Sequence, residues 1–328
     1  MDFTQLIDLA AERLGAAVVL ANDEFFGPKE NLIKSSAPVW REGEYTERGK
    51  WMDGWETRRR REPGYDWCII RLGRAGVIRG VVIDTTYFTG NYPETCSLEA
   101  ATIGGVPEPS RLLSGEIAWR EILRRSPLRG NTRNLFAIDD ERSCTHVRLN
   151  IHPDGGVARL RVHGVVRPDW SRLARDSVEL DLAAMEHGGF VVSCSDMFYG
   201  NRQNLILPGP ALGMYDGWET KRRRGAGHDW AIVRLAGRGI IRRALVDTSH
   251  FKGNAPGACA LEACDVPGTD APPESAVWRK LLPRTSLQPH TAHEFLELND
   301  VGAVTHVRLN IYPDGGVARL RLHGHVLR

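Results

Sequence analysis

An internal duplication constrains the fold of this chain more than any other feature of its sequence. Asp23–Gly27 (DEFFG) recurs as Asp196–Gly200 (DMFYG), at an offset of 173 residues. Farther along, Asp53–Thr57 (DGWET) recurs unchanged as Asp216–Thr220, where the offset has fallen to 163 residues. The second copy has therefore lost ten residues, which correspond to the stretch around Arg41–Lys50 of the first copy.

The last block of each copy matches most closely. Thr145–Gly164 and Thr305–Gly324 are twenty residues long and differ at two positions. The sequence therefore predicts two homologous domains, residues 1–168 and 169–328, each long enough to bury its own core. They are called the first and the second repeat below, and Pro168 at the junction disfavours regular structure.

The periodicities within each repeat predict mostly β-structure. Short apolar runs separated by Gly, Pro and Asp follow one another, as in antiparallel sandwiches. His146–Ile151 alternates polar and apolar residues, and Pro153–Gly156 supplies a tight turn into a partner strand. Two stretches have apolar residues at helical spacing and predict one amphipathic helix at the start of each repeat: Phe3, Leu6, Ile7, Ala10 and Leu14, and Val178, Leu182 and Met185.

Composition excludes several classes of protein. The 43 Lys and Arg against 41 Asp and Glu give a net charge of +2, too balanced to indicate a nucleic-acid or membrane partner. The sequence starts without a basic and then apolar leader and contains no run of about 18 apolar residues. We therefore expect a cytoplasmic protein whose partner is a small molecule. The six cysteines form no CxxC pair and are expected to be free thiols.

The order of these signals resembles the discoidin or galactose-binding-like jelly roll. That order runs from Asp53–Thr57 through Trp67–Gly73 and Ile78–Ile83 to Val147–Leu149 and Leu160–Gly164. The resemblance implies an all-β chain of two tandem antiparallel β-sandwiches, each preceded by a short helix, with ligand-binding loops at the ends of the sandwich.

Longer strings of residues resemble the allantoicase family, over both repeats. They are Asp23–Phe26, Pro28–Leu32, Gly43–Arg60, Asp84-Thr85 with Phe88–Asn91, and both RLNIxPDGG blocks. The resemblance implies a hydrolase that converts allantoate to ureidoglycolate and urea in purine breakdown. It also implies a cytosolic homo-oligomer with two jelly rolls per chain.

The substrate that this resemblance implies sets the chemistry that the site must provide. Allantoate carries a carboxylate and two ureido groups on one carbon, so its site needs a bidentate cation and a general acid and base. Glu56 and Glu219 are the favoured acid or base candidates, since each lies beside a tryptophan that can shield it from water. His146 and His306 are further catalytic candidates, although a structural role is the commoner one for a histidine at a strand start.

Candidates for substrate binding come from the same loops and from the polar face of the closing hairpin. The Glu44–Lys50 loop occurs in the first repeat alone and favours that repeat as the site of the chemistry. Asp53 and Asp216 are expected to form turns, and Arg159 is expected to form an ion pair across its hairpin. The binding candidates are Lys29, Glu44, Arg48, Lys50, Trp55, Arg59, Asn91, Arg148, Trp218, Asn254 and Arg308.

Metal dependence and two other functions stay open on the sequence alone. No HExxH or DxD grouping gives a metal-ligand set at recognisable spacing, and no cofactor is certain. A divalent ion such as manganese is one possibility, with His250 as a place to look. One alternative function is a non-catalytic module that binds a small ligand or a carbohydrate. The other is a scaffold protein whose jelly rolls mediate assembly alone.

Overall fold

The computed structural model describes residues 2–173 and 179–327. The chain forms two compact units, Met1–Arg167 and Pro168–Arg328. Within the described residues both units are built from antiparallel strands, and the α-helices are single turns of five and four residues. The all-β class predicted from the sequence is therefore confirmed. No helix in this part of the chain is long and apolar enough to span a membrane.

The elements of the first unit follow the predicted alternation of short strands and loops. Three 3₁₀ turns accompany them, at Phe3–Gln5, Glu12–Leu14 and Lys29–Ile33. The strands and helix are β1 Ile7–Asp8, β2 Ala17–Ala21, β3 Tyr45–Thr46, β4 Gly49–Lys50, β5 Trp55–Glu56, β6 Asp66–Asp84, β7 Thr95–Ala101, α1 Pro109–Leu113, β8 Arg120–Pro127, β9 Arg133–Ala137, β10 Ser143–His152, β11 Gly156–Val157 and β12 Arg159–Val166.

The second unit repeats this order of strands without the β3–β4 hairpin. Its 3₁₀ turns are Met185–His187, Arg202–Ile206 and Met214–Asp216. Its other elements are α2 Trp170–Leu173, β13 Leu180–Asp181, β14 Phe190–Cys194, β15 Trp218–Glu219, β16 Asp229–Asp247, β17 Ala258–Cys264, β18 Arg279–Ser286, β19 Ala292–Phe295, β20 Val304–Tyr312, β21 Gly316–Val317 and β22 Arg319–Val326.

The long strand β6 organises the first unit because it takes part in both layers of the sandwich. Its first half pairs with β10 and β2, and its second half pairs with β12 and β9. Glycine is required where the strand passes between the layers. A Cβ on Gly73 would lie 2.6 Å from the carbonyl oxygen of Leu14, and one on Gly76 would lie 2.7 Å from that of Val165. β16 has the same double role in the second unit.

The core of the sandwich comes from the alternation seen in the sequence. Val147, Leu149 and Ile151 of β10 are fully buried, while the intervening residues face the opposite side of the sheet. The loop after β7 and helix α1 cover part of that opposite side with a small apolar cluster that includes Ile69 and Leu112. The polar row of β10 is therefore partly covered by the rest of the unit.

The predicted opening helix is wrong. Phe3–Gln5 and Glu12–Leu14 are separate 3₁₀ turns, and between them Ile7–Asp8 pairs with Gly164 and His163 of β12. The second repeat is alike, with strand β13 and a 3₁₀ turn at Met185–His187, and Val178 lies outside the described residues.

The side chain of Asp8 explains why the helix does not form. Its carboxylate accepts hydrogen bonds from the backbone N–H of Ala10 (3.0 Å) and from that of Val162 (2.9 Å). These bonds compete with a helical backbone and fix the segment along the edge of the sheet. The apolar residues at helical spacing are therefore buried by an extended segment. Over so few turns, periodicity alone does not distinguish such a segment from a helix.

A buried ion pair connects the loop before β5 to strand β12. Arg159 is 1% exposed, and its Nη2 donates to Asp53 Oδ2 at 2.7 Å while its Nη1 donates to the carbonyl oxygen of the same residue at 2.9 Å. Arg319 and Asp216 form the equivalent pair in the second unit, at 2.8 Å. The expectation of an ion pair was right, but the partner lies in a distant loop and not across the hairpin.

Candidate active site

Strand β5 brings the Trp-Glu-Thr motif to one end of the first sandwich. Glu56 pairs with Gly156 of β11, and its carbonyl oxygen accepts hydrogen bonds from the backbone N–H of Phe26 and Gly27. Thr57 is buried, and its hydroxyl exchanges hydrogen bonds with the backbone of Gly155. The loops after β2, β6 and β10 therefore converge on the Glu56 side chain.

These loops enclose a cleft of about 590 Å³, which we call the first-repeat cleft. Its polar lining includes the side chains of Glu56, Arg59, Asn91 and Glu94. A small molecule with one carboxylate and two amide arms fits a volume of this order. The other lining residues are Phe26, Thr57, Arg60, Gly90, Tyr92, Pro153, Asp154 and Gly155.

Glu56 has the properties of a proton donor. Burial raises the pKa of its carboxyl above the ordinary value, although the hydrogen bond from Asn91 opposes this shift. That hydrogen bond joins Asn91 Nδ2 to Glu56 Oε1 at 2.7 Å and fixes the orientation of the carboxyl. A carboxyl with a raised pKa holds its proton closer to neutral pH and can deliver it to a leaving group.

Arg59 offers a guanidinium that its neighbours leave available. Arg58 donates to Asp23 Oδ2 from its backbone N–H (2.7 Å) and its Nε (3.2 Å), and Arg60 donates from Nη1 to the buried Asp66 (2.8 Å). Arg59 is exposed, lines the cleft and makes no ion pair with any residue that the structure describes. It is therefore able to bind a carboxylate bidentately.

The second repeat keeps the motif but lacks part of the wall. Asn254 Nδ2 donates to Glu219 Oε1 at 2.6 Å, as in the first repeat. The thioether of Met214 also contacts Asn254, with its sulfur 3.8 Å from Nδ2. The register of the duplication places Ala255 and Gly257 where the first repeat has Tyr92 and Glu94.

The tryptophans of the motif are structural. Trp55 and Trp218 are fully buried, and their indole N–H groups donate to the carbonyl oxygens of Asp23 and Asp196 at 2.8 Å. Neither ring is available to a ligand, which corrects the prediction of substrate contact. Their role is to fix the loop that carries Glu56 or Glu219.

The structure places the two candidate histidines away from the cleft. His146 is seven residues before Pro153, so it lies roughly 23 Å along the sheet from the cleft end of β10. It is 1% exposed, and its Nδ1 lies 2.9 Å from Thr145 Oγ1. His306 is equally buried, with Nε2 3.2 Å from the carbonyl oxygen of Asp270. A catalytic role for either residue does not fit this position.

The buried histidine makes stability depend on pH. Burial, together with the nearby charge of Arg71, lowers the pKa of His146 to about 4. Between the ordinary histidine pKa and this value the unfolded chain binds more protons, so stability falls as pH falls. We expect the free energy of unfolding to drop by roughly 2–3 kcal/mol between about pH 6.5 and pH 4 through this residue.

Chemical denaturation of the wild type and His146→Gln across this pH range measures that contribution. The variant should show the shallower pH dependence, because it has no imidazole to protonate. Identical slopes for the two proteins would remove His146 as the cause.

Two predicted arginines are engaged on the outer face of the sheet. Arg148 Nε donates to Glu99 Oε2 at 2.7 Å, and its guanidinium lies 5.0 Å from the centre of the Trp119 ring. Arg308 makes the same pair with Glu262, with Nη2 at 2.6 Å. These are internal ion pairs at a distance from the cleft, so the structure does not place Arg148 or Arg308 for substrate binding.

The hairpin that only the first repeat carries lies beside the cleft without supplying cations to it. Arg48 lies over the ring of Phe25 (5.3 Å) and Lys50 over that of Trp40 (4.1 Å). Arg48 lines a separate groove of about 510 Å³ that shares Phe26 with the cleft.

The acidic and basic residues predicted around this hairpin also have internal partners. Glu44 pairs with Arg41 at 3.1 Å. Lys29 pairs with Glu30 (2.8 Å) and Glu24 (3.0 Å). Burial opposes the charge of Lys29, but these two carboxylates outweigh it and raise the lysine pKa. The ammonium group is therefore already neutralised by its neighbours.

The described residues do not bring together a set of side chains that could bind a metal ion. Among residues 2–173 and 179–327, no group of three or more His, Cys, Asp or Glu side chains is placed to hold a metal ion. His250 is engaged elsewhere, with Nε2 3.0 Å from the carbonyl oxygen of Ala211.

Sequence reasoning missed Tyr92, Glu94 and Asp154 as cleft residues. Asp154 has a hydrogen bond to its carboxylate from the backbone N–H of Arg60, at 2.8 Å, which draws the Pro-Asp-Gly-Gly turn against the arginine loop. Tyr92 and Glu94 are absent from the matching positions of the second repeat. That difference between the two copies is the signal that could have revealed them.

Comparisons with known proteins agree with this architecture. A family model described as the allantoicase repeat matches residues 7–167 and again residues 180–327. The probable allantoicase of Photobacterium profundum is 49% identical over 328 residues, covering 99% of this chain and 98% of that protein. The probable allantoicase of Nocardia farcinica is 51% identical over 325 residues, covering 99% of this chain and 95% of that protein.

Similarity extends to a solved structure. The crystal structure of allantoicase from Saccharomyces cerevisiae aligns with a TM-score of 0.80 at 36% sequence identity, covering 97% of this chain and 93% of that one. The family match spans both repeats, and the relatives match over nearly their whole length. This chain belongs to the allantoicase family.

Proposed function

We propose that this chain hydrolyses allantoate to ureidoglycolate and urea in the first-repeat cleft. Membership of the allantoicase family supports the reaction, and the names of its relatives state the activity. The observation that carries the location is the presence in one cleft of a half-buried Glu56 of raised pKa and of Arg59, which no described carboxylate engages. The cleft thereby provides one cation for the substrate carboxylate and one acid for the leaving group.

The reaction begins with breakage of the bond between the central carbon and one ureido nitrogen. Arg59 holds the carboxylate of allantoate, which positions that carbon in the cleft. Glu56 gives its proton to the departing ureido nitrogen, and the lone pair of the other ureido nitrogen forms a C=N bond as urea leaves. Asn91 holds the Glu56 carboxyl in one orientation throughout. Water then adds to the C=N carbon to give ureidoglycolate.

Purified protein incubated with allantoate tests the proposal. We expect urea and ureidoglycolate to form in equal amounts. Parallel reactions with a chelator and with added manganese show whether a divalent ion is needed. Absence of both products in every reaction would contradict the proposal and favour the binding-module or scaffold alternatives. Assembly as a homo-oligomer and a cytoplasmic location stay predictions from the family resemblance.

Substitution of Arg59 tests its contact with the substrate. Arg59→Ala should raise KM for allantoate by about 10 to 100-fold, the effect of losing a charged hydrogen-bonded pair. Its kcat should change less, because the carboxylate is bound alike in the ground state and the transition state. Arg222→Ala, the matching change in the second repeat, serves as the control and should leave KM unaltered. Equal KM values for wild type and Arg59→Ala would exclude the contact.

A further inference from the structure

The two repeats share backbone hydrogen bonds in the loop that follows β6 in the first unit and β16 in the second. The backbone N–H of Gly156 donates to the carbonyl oxygen of Asn91 at 2.7 Å, and Gly316 donates to Asn254 at 2.8 Å. In the first repeat the carbonyl oxygen of Glu94 also accepts a hydrogen bond from the N–H of Leu128, at 3.0 Å.

The second repeat forms the equivalent of that last hydrogen bond, although Gly257 there replaces Glu94. The carbonyl oxygen of Gly257 accepts from the N–H of Leu287, again at 3.0 Å. The backbone therefore forms the same hydrogen bond in both copies of this loop. Only the first copy carries a carboxylate there, because Glu94 stands where the second copy has Gly257.

Glycine at position 257 is not a requirement of the backbone. A Cβ there would approach only the carbonyl oxygen of Tyr312, at 3.6 Å, which is an ordinary contact. Its φ angle lies outside the left-handed region that favours glycine. The carboxylate of Glu94 therefore distinguishes the first cleft chemically and has no evident role in holding the loop.

The carboxylates in the first-repeat cleft differ in their availability. Asp154 accepts a hydrogen bond from the backbone of Arg60, and Glu56 is bound by Asn91. Glu94 lines the same cleft, is exposed, and makes no side-chain hydrogen bond or ion pair with the residues that the structure describes. It is the lining carboxylate whose oxygens are left to a substrate or a water molecule.

The addition of water still needs a group that accepts a proton. Water becomes an effective nucleophile when a base removes its proton as the new bond forms. We propose that Glu94 is this general base and that the second repeat, which lacks it, is not a second active site. This inference rests on the proposed function.

The proton and electron balance of the step closes within the cleft. The water oxygen bonds to the central carbon, and the π electrons of the C=N bond return to the remaining ureido nitrogen. The proton lost by water moves to the Glu94 carboxylate. After urea and ureidoglycolate leave, one proton passes from Glu94 to Glu56, which restores the acid and the base for the next turnover.

Two variants test Glu94, compared with wild type by kcat, KM and the pH profile of the rate. Glu94→Gln keeps the shape of the side chain, and Glu94→Gly reproduces the residue of the second repeat. We expect each to lower kcat by about 10²-fold with little change in KM, the effect of losing a general base. The acidic limb of the pH profile, which reports protonation of the base, should disappear. Glu116→Gln, an exposed glutamate outside the cleft, is the matched control.

Chemical rescue separates a base from a structural residue. Formate can occupy the space that the missing carboxylate leaves in Glu94→Gly, so we expect added formate to restore part of its kcat. Formate should not restore Glu56→Gln, because the substituted amide fills the position of the Glu56 carboxyl and leaves no space for formate there.

Each outcome of these assays bears on one claim. A wild type without activity would overturn the proposed function itself. An active wild type with Glu94 variants of unchanged rate would overturn the role of Glu94 alone. Slow variants that keep the acidic limb and do not respond to formate would also overturn it. Circular dichroism and thermal unfolding show whether each variant is folded, and Glu94→Gln gives the result if Glu94→Gly is not.

Discussion

Glu56→Gln should lower kcat for allantoate by about 10²–10⁴-fold, because an amide cannot supply the proton that the departing ureido nitrogen needs. The side chain keeps its shape, so the hydrogen bond to Asn91 persists and KM changes little. Glu219→Gln makes the same chemical change in the second repeat, where the loop carries Gly257 in place of Glu94. We expect this second variant to retain the wild-type rate.

Initial rates of urea release by the three proteins, at equal concentration of folded chain, check this prediction. Equal losses in both variants would mean that the two repeats share the chemistry. Loss in Glu219→Gln alone would move the active site to the second repeat. Rates like that of the wild type in both variants would exclude Glu56 as the acid.

Asp53→Ala should destabilise the first unit by about 3–5 kcal/mol, because it leaves the buried guanidinium of Arg159 without its counter-charge. Asp53 is 7% exposed and also accepts a hydrogen bond from the backbone N–H of Val39 at 3.0 Å, so the loop before β5 loses an anchor as well. Because that loop leads into the strand that carries Glu56, activity should fall with stability.

Hydrogen exchange followed by mass spectrometry measures the effect in each unit separately. Amides of strand β12 should lose protection by about two to four orders of magnitude, while those of β22 keep theirs. Glu44→Ala breaks the exposed pair with Arg41 and is the control, since such surface pairs contribute about 0–1 kcal/mol. Unchanged protection in β12 would show that the buried pair does not hold this unit together.

The fold was largely predictable because the duplication is visible in identical strings. The alternation of Val147, Leu149 and Ile151 with polar residues already indicates one buried face, and the structure confirms it. The opening segment was not predictable in the same way. There the bonds of the Asp8 carboxylate and the pairing with β12 override a spacing of apolar residues that also suits a helix.

The candidate site was predictable only in part. Glu56, Arg59 and Asn91 lie on loops that the sequence singles out, and the structure brings them into one cleft. The sequence does not reveal which arginine of the run is left for a ligand, because that depends on where the carboxylates of Asp23 and Asp66 lie. Partners so distant along the chain are set by tertiary structure.

The burial of individual side chains could not be predicted from the sequence either. Trp55 suits a ligand contact by its residue type, but the structure uses it as core and satisfies its N–H internally. No sequence motif marks Glu94 as a functional residue, and an exposed glutamate in a loop is usually only solvated. It stands out when the two repeats are compared position by position.

A crystal structure of Glu56→Gln with allantoate bound tests the central claim most directly, because the slow variant keeps the substrate intact. We expect allantoate in the first-repeat cleft, with its carboxylate on Arg59, one ureido group against residue 56, and Glu94 facing the central carbon. Allantoate bound in the second repeat alone, or away from both Trp-Glu-Thr loops, would contradict that claim.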